Sequence, residues 1–125
     1  MRSFNILVFD DFISGAGTVV YTRPDFYDKL GSVDKLALFA VSDQVTTNGT
    51  LTVRIEHSAD GVNWIAKSSG AAEIAAADLT AGSTEVAYGY DPGTSPTLGL
   101  VRLSLTIATS TMAHVKLWVT GRDAS

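Results

Sequence analysis

Apolar and polar residues alternate along much of this chain with the two-residue period of a β-strand. The clearest stretch is 98–108, where Val101, Leu103, Leu105 and Ile107 face one way and Arg102, Ser104 and Thr106 the other. Residues 114–121 repeat it, with Val115, Leu117 and Val119 opposite His114, Lys116, Trp118 and Thr120. In 51–56, Leu51, Val53 and Ile55 alternate with Thr52, Arg54 and Glu56. Such segments read as strands with one face on a core and one toward water.

Two segments are apolar on both alternate sets. In 33–42, Leu36, Leu38 and Ala40 oppose Ala37, Phe39 and Val41, and the β-branched and aromatic content favours a central strand over a helix. In 3–9, Phe4, Ile6 and Val8 oppose Leu7 and Phe9. A strand covered on both sides reads this way. The favoured expectation is a central strand of the protein's own sandwich, with cover by a neighbouring subunit as the alternative. Shorter strands are expected at 18–23, closed by Pro24, and at 84–90, with Val86, Tyr88 and Tyr90 on one face.

The turns are equally legible. Residues 51–67 read as strand, turn, strand, because Ser58, Asp60, Gly61 and Asn63 combine side chains that bond their own backbone with a residue free to take positive φ. Trp64 follows that turn and is expected in the core. Asn48-Gly49 is a second hairpin signal. Residues 25–32 and 91–97 read as loops, and the Ala-rich stretch 68–82 as either a short helix or an irregular crossing strand. About eight strands at short spacing predict an all-β fold, and the long crossings at 24–32 and 68–82 favour an antiparallel jelly-roll-like sandwich with Greek-key connections. One domain spanning 1–125 is expected.

Composition narrows the function classes. There is no Cys, hence no disulfide, thiolate metal site or cysteine nucleophile, and the redox compartment stays open. Nine basic against thirteen acidic side chains, with no basic run, disfavour a nucleic-acid partner. No segment has the roughly 20 apolar residues of a membrane helix, and no secretory signal or membrane partner is expected. Charged residues are 18% of the chain, under the roughly 25% usual for soluble domains. A neutral surface rich in Thr, Ser and Ala suits packing against other proteins.

No glycine-rich phosphate loop, nucleophile elbow or HExxH helix is present, and no carboxylate pair stands out, so an enzyme, a catalytic residue or a cofactor is not expected. His57 and His114 lack metal-ligand spacing and read as ordinary, partly exposed histidines. Asp10, Asp11, Asp60 and Asp91 are calcium-compatible in type, but scattered turn aspartates are commoner than a converging site. Trp118 stands out, because the alternation of its strand places it on the outer face, where an indole marks contact with a sugar ring or a partner. Cover by the protein's own N-terminal strand is the competing account.

Ser58 to Trp64 (SADGVNW) after a Val-Arg-Ile-Glu strand, and His114 to Arg122 (HVKLWVTGR) at the end of the chain, resemble segments of small phage capsid auxiliary proteins. The cysteine-free, Thr/Ser/Ala-rich composition resembles theirs as well. The resemblance implies a jelly-roll-like decoration or cement protein on the capsid surface of the virion. It would bind the major capsid protein and itself, as a dimer or trimer. The expected interface comprises Phe4, Ile6, Leu7, Phe9, Lys116 and Trp118. The Asp-Gly-x-x-Trp turn also occurs in carbohydrate-binding sandwiches. The alternative is therefore a carbohydrate-binding module, a phage receptor-binding role included, with Trp118, Tyr88 and Tyr90 as stacking platforms.

Overall fold

A computed structural model describes residues 3–22, 33–66, 72–90 and 100–123. It holds nine strands and no helix among those residues: β1 (Ser3–Ser14), β2 (Val19–Tyr21), β3 (Val33–Asp43), β4 (Gly49–Ser58), β5 (Ile65–Ala66), β6 (Ile74–Leu79), β7 (Glu85–Tyr90), β8 (Leu100–Ala108) and β9 (Met112–Asp123). One sheet has the order β1-β9-β3-β7, and the other β2-β8-β4-β5 with β6 also on β4. The pairs β1/β9, β2/β8, β3/β7 and β4/β6 form one long antiparallel ribbon with the β4–β6 segment at its tip. Rolling the ribbon brings β9 against β3 and β8 against β4, which closes the two sheets. The protein is an antiparallel jelly roll, as the strand spacing predicts.

The core lies between the sheets and is built from the alternating sets read in the sequence. Leu38, Leu51, Val53, Ile55, Val101, Leu103, Leu105, Ile107, Val115, Leu117 and Val119 are all buried. Burying one such side chain stabilises by about 1.5–3 kcal/mol, so the inward sets of β4, β8 and β9 determine which way each strand faces.

β3 is central, between β9 and β7, as its composition predicts. β1 corrects the favoured expectation for 3–9, because among the described residues it lies at the edge of its sheet. Its pairing slips between Leu7, opposite Trp118, and Phe9, opposite Leu117. The slip is a bulge at Val8, which turns both Val8 and Phe9 toward the core while Leu7 stays outside. The doubly apolar pattern thus records a change of phase rather than cover on both faces.

Of the 68–82 stretch, the described residues from 72 onward settle as the irregular strand: Ile74 and Leu79 are buried at the two ends of β6. Its register against β4 slips between Leu51 and Val53, and Ala76 takes φ 48°. β6 covers Gly49–Val53 of β4, and β5 covers Glu56 and His57. Between them the Ile55 N–H donates to Glu73 Oε2 at 2.7 Å, so a carboxylate fills the gap in the ladder. Gly89 of β7 lies so near the Glu73 carbonyl that a Cβ there would collide with backbone, and this fixes where the two sheets meet. The predicted loops at 25–32 and 91–97 lie outside the described residues.

The 58–63 turn follows the predicted chemistry. Gly61 has φ +78°. Ser58 Oγ accepts from the Gly61 N–H at 2.9 Å, and Asp60 Oδ1 accepts from the Val62 and Asn63 N–H groups at 2.8 Å. Asn63 Nδ2 donates to Asp60 Oδ2 at 2.8 Å. The Asn63 and Val62 amides, then the Asn63 and Ser58 side chains, hold the Asp60 carboxyl well below the usual carboxylate range.

Candidate functional site: an aromatic row on an outer sheet face

The alternation that sends Val115, Leu117 and Val119 inward presents His114, Lys116, Trp118 and Thr120 on the outer face of the β1-β9-β3-β7 sheet. Cross-strand register arranges that face in rows. Leu7, Trp118, Phe39 and Tyr88 form a row across all four strands. Asn5, Thr120 and Ala37 lie on one side of it, and Asp10, Lys116, Val41 and Val86 on the other. Leu7 is 47% exposed, Phe39 38% and Tyr88 65%, a high exposure for an unbroken line of large apolar groups. The Phe39 and Trp118 rings meet edge-on, with centroids 5.8 Å apart at 60°. Asn5, Phe39, Tyr88, Trp118 and Thr120 line a groove of about 440 Å³ along the row.

The sequence-predicted interface residues divide here. Leu7, Lys116 and Trp118 share the outer face, Leu7 directly opposite Trp118. Ile6 pairs with buried Val119, and Phe9 packs against the core. The Phe4 backbone pairs with Gly121, and its side chain lies outside the described residues, as does that of Tyr90. Phe39, Val41 and Val86 join the face without having been singled out. Their alternation was legible, but their place beside Trp118 depends on pairing across dozens of residues.

A charged cluster closes one end of the face. His114 Nδ1 lies 2.7 Å from Asp43 Oδ1 and its Nε2 2.7 Å from Asp10 Oδ1. A neutral imidazole has one N–H, so two carboxylate acceptors require the protonated ring. The bonds to Asp10 and then Asp43 accordingly raise the His114 pKa above its ordinary value, and burial only partly opposes them. Phe12 covers the ring with centroids 5.0 Å apart. His114 is therefore a clamp across β1, β9 and β3 rather than an ordinary histidine, and His57 is buried rather than partly exposed. Among the described residues, no group of three or more His, Asp or Glu side chains is placed to hold a metal ion.

The outer face of the second sheet carries a smaller cluster. Arg102 lies 3.8 Å from the centroid of the Tyr21 ring and 4.4 Å from that of Trp64, and its Nε donates to Glu56 Oε1 at 2.7 Å. Trp64 is thus half-buried against a guanidinium on the surface, not in the core, because the turn delivers it to the side of Arg102. The cluster braces β2 and the 58–63 turn onto β8 and β4.

No protein-family model matches the chain, and no curated protein sequence matches it. Solved structures do. A chain of infectious bursal disease virus, Gx strain, aligns with TM-score 0.65 at 13% identity, over 99% of this chain and 33% of that one. The virus's VP2 recurs among the matches. The CBM22-1 xylan-binding domain of Paenibacillus barcinonensis Xyn10C aligns with TM-score 0.61 at 10% identity, over 93% of this chain and 74% of that one. PBSX exported protein XepA aligns with TM-score 0.54 at 14% identity, over 98% and 38%. The chain spans about a third of the length of the viral chains it matches. At these identities the likeness is one of fold, shared by viral capsid proteins and carbohydrate-binding domains.

Proposed function

We propose that this is a non-catalytic structural virion protein, a capsid decoration or cement protein of a bacteriophage, which binds neighbouring capsid subunits and further copies of itself at the capsid surface. The observation that carries this reading is the Leu7–Trp118–Phe39–Tyr88 row across the full width of a sheet, with Leu7, Phe39 and Tyr88 exposed around a half-buried indole. A specific interface typically buries about 800 Å² per partner, and a tryptophan near its centre can carry about 2 kcal/mol or more. Val41, Val86, Ala37 and Thr120 beside the row are uncharged, and Asp10 and Lys116 are the charges at its flank, so most of the face is inexpensive to desolvate. The jelly-roll fold shared with viral capsid proteins is consistent with a place in a shell.

A second reading, carbohydrate binding, is favoured by the groove, whose aromatic walls also carry the polar Asn5 and Thr120. Sugar stacking needs an open ring face, however, and Trp118 is half-buried with Phe39 set edge-on to it. The edge-on contact leaves the central indole no open face for a sugar ring, so protein contact is the stronger reading.

The test is co-sedimentation with capsids of the encoding phage assembled without this protein. Trp118→Asp should weaken binding roughly 30-fold, the equivalent of about 2 kcal/mol. Its stability should fall by only about 0.5–1.5 kcal/mol, the loss of the edge-on contact with Phe39, because the indole lies outside the core. Undiminished capsid binding by this variant would sink the proposal. Quenching of the parent's tryptophan fluorescence by soluble oligosaccharides, with no capsid binding, would establish the carbohydrate reading instead.

A further inference from the structure

An edge strand offers a row of unpaired backbone N–H and C=O groups, and proteins blunt such edges with bulges and charges. β1 spans twelve residues and, among the described residues, pairs on one side only, with β9. Its blunting devices all sit in one half. The bulge is at Val8, Asp10 and Asp11 follow it, and the Phe12 N–H is already taken up by Asp11 Oδ1 at 2.7 Å. Residues 3–7 carry none of these. They present an uncharged edge of backbone N–H and C=O groups, which another strand can extend.

We infer that this edge joins the same edge of a second copy, antiparallel about a two-fold axis at Asn5, so that the β1-β9-β3-β7 sheets of two protomers continue into one. Three constraints select that register. A centre near Asp10 or Asp11 sets like charges opposite each other, which is destabilising. A centre at Leu7 forces the ladder through the bulge. A centre at Asn5 pairs Ser3 with the partner's Leu7 and Phe4 with the partner's Ile6, and leaves both aspartates beyond the pairing. Asn5 is exposed on the outer face, and its amide both donates and accepts, so it is self-complementary across a two-fold axis. The joined sheet sets two aromatic rows on one continuous surface. The inference concerns the sheet edge and stands apart from the capsid-docking reading of the face.

The absence of cysteine from the chain makes the test direct. Facing residues of antiparallel strands have Cα atoms about 4.5–5.5 Å apart, within disulfide range. Asn5→Cys should therefore oxidise to a covalent dimer, with the secondary structure checked by circular dichroism. Asp10→Cys places its two thiols roughly 30 Å apart in this register, and the variant should crosslink at least tenfold more slowly. Sedimentation of the unsubstituted protein should show a dimer that dissociates on dilution. Equal crosslinking rates for the two variants overturn the edge pairing, and so does a monomer throughout the concentration range. An oligomer that neither variant traps overturns it as well, while leaving the outer face free to be the contact.

Discussion

Glu73 offers the sharpest test of how the tip of the rolled ribbon is held. Its carboxylate accepts from the Ile55 N–H at 2.7 Å, at the one point where β4 passes from its β6 partner to its β5 partner. Ile55 is fully buried, so removing the acceptor leaves its N–H in a place water reaches poorly. A hydrogen bond to a charged group contributes about 1.5–3 kcal/mol, and an unsatisfied buried donor costs about 1–3 kcal/mol. Glu73→Ala should therefore destabilise by about 2 kcal/mol. With an unfolding entropy near 2.1 cal/mol/K per residue, that lowers Tm by roughly 8 °C for a chain of this length. Glu73→Gln keeps an acceptor without the charge and should lose about half as much. Urea denaturation followed by tryptophan fluorescence gives the energies, and hydrogen exchange at the Ile55 amide locates them. An unchanged midpoint in Glu73→Ala, or an Ile55 amide no less protected than before, would refute the account of β4's divided edge.

Leu103 is fully buried in β8, and Leu103→Ala should cost about 2–5 kcal/mol in the same denaturation assay. Gly61 has φ +78°, so a β-branched residue is strained there, and Gly61→Val should cost about 1–3 kcal/mol; an unchanged midpoint would contradict the turn. The His114 pKa is raised in the folded state, so the clamp's contribution is fully present below the unfolded value of about 6.5 and is lost as pH rises through the folded value. Stability measured from pH 6 upward should fall in the parent and fall less in His114→Gln; equal slopes would show that the imidazolium does not hold the strands.

The alternation of Val101, Leu103, Leu105 and Ile107, and that of Val115, Leu117 and Val119, was sufficient to read strands, an inward face and an all-β sandwich. Strand geometry is local, because successive side chains point to opposite sides and burial rewards only one of them. The 58–63 turn was legible for the same reason. Each of its hydrogen bonds joins residues at most three apart, and Gly61 needs nothing distant to explain its φ.

What only the tertiary structure decided is which distant residues meet. The bulge at Val8 is invisible in an apolar run, so β1 read as a covered strand when it is an edge. Trp64 carries no local mark of Arg102, and Ala-rich 72–79 no mark of the free flank of β4 that made it a strand. His114 reads as unremarkable until rolling the ribbon sets Asp10 and Asp43 against its two nitrogens, 104 and 71 residues away along the chain. The aromatic row arises in the same way: Leu7, Phe39, Tyr88 and Trp118 were each placed on a strand by local pattern. The pairing of β1 with β9, β9 with β3 and β3 with β7 put them in line. A strand's face follows from its own residues, but its neighbour and register follow from closing the whole sandwich.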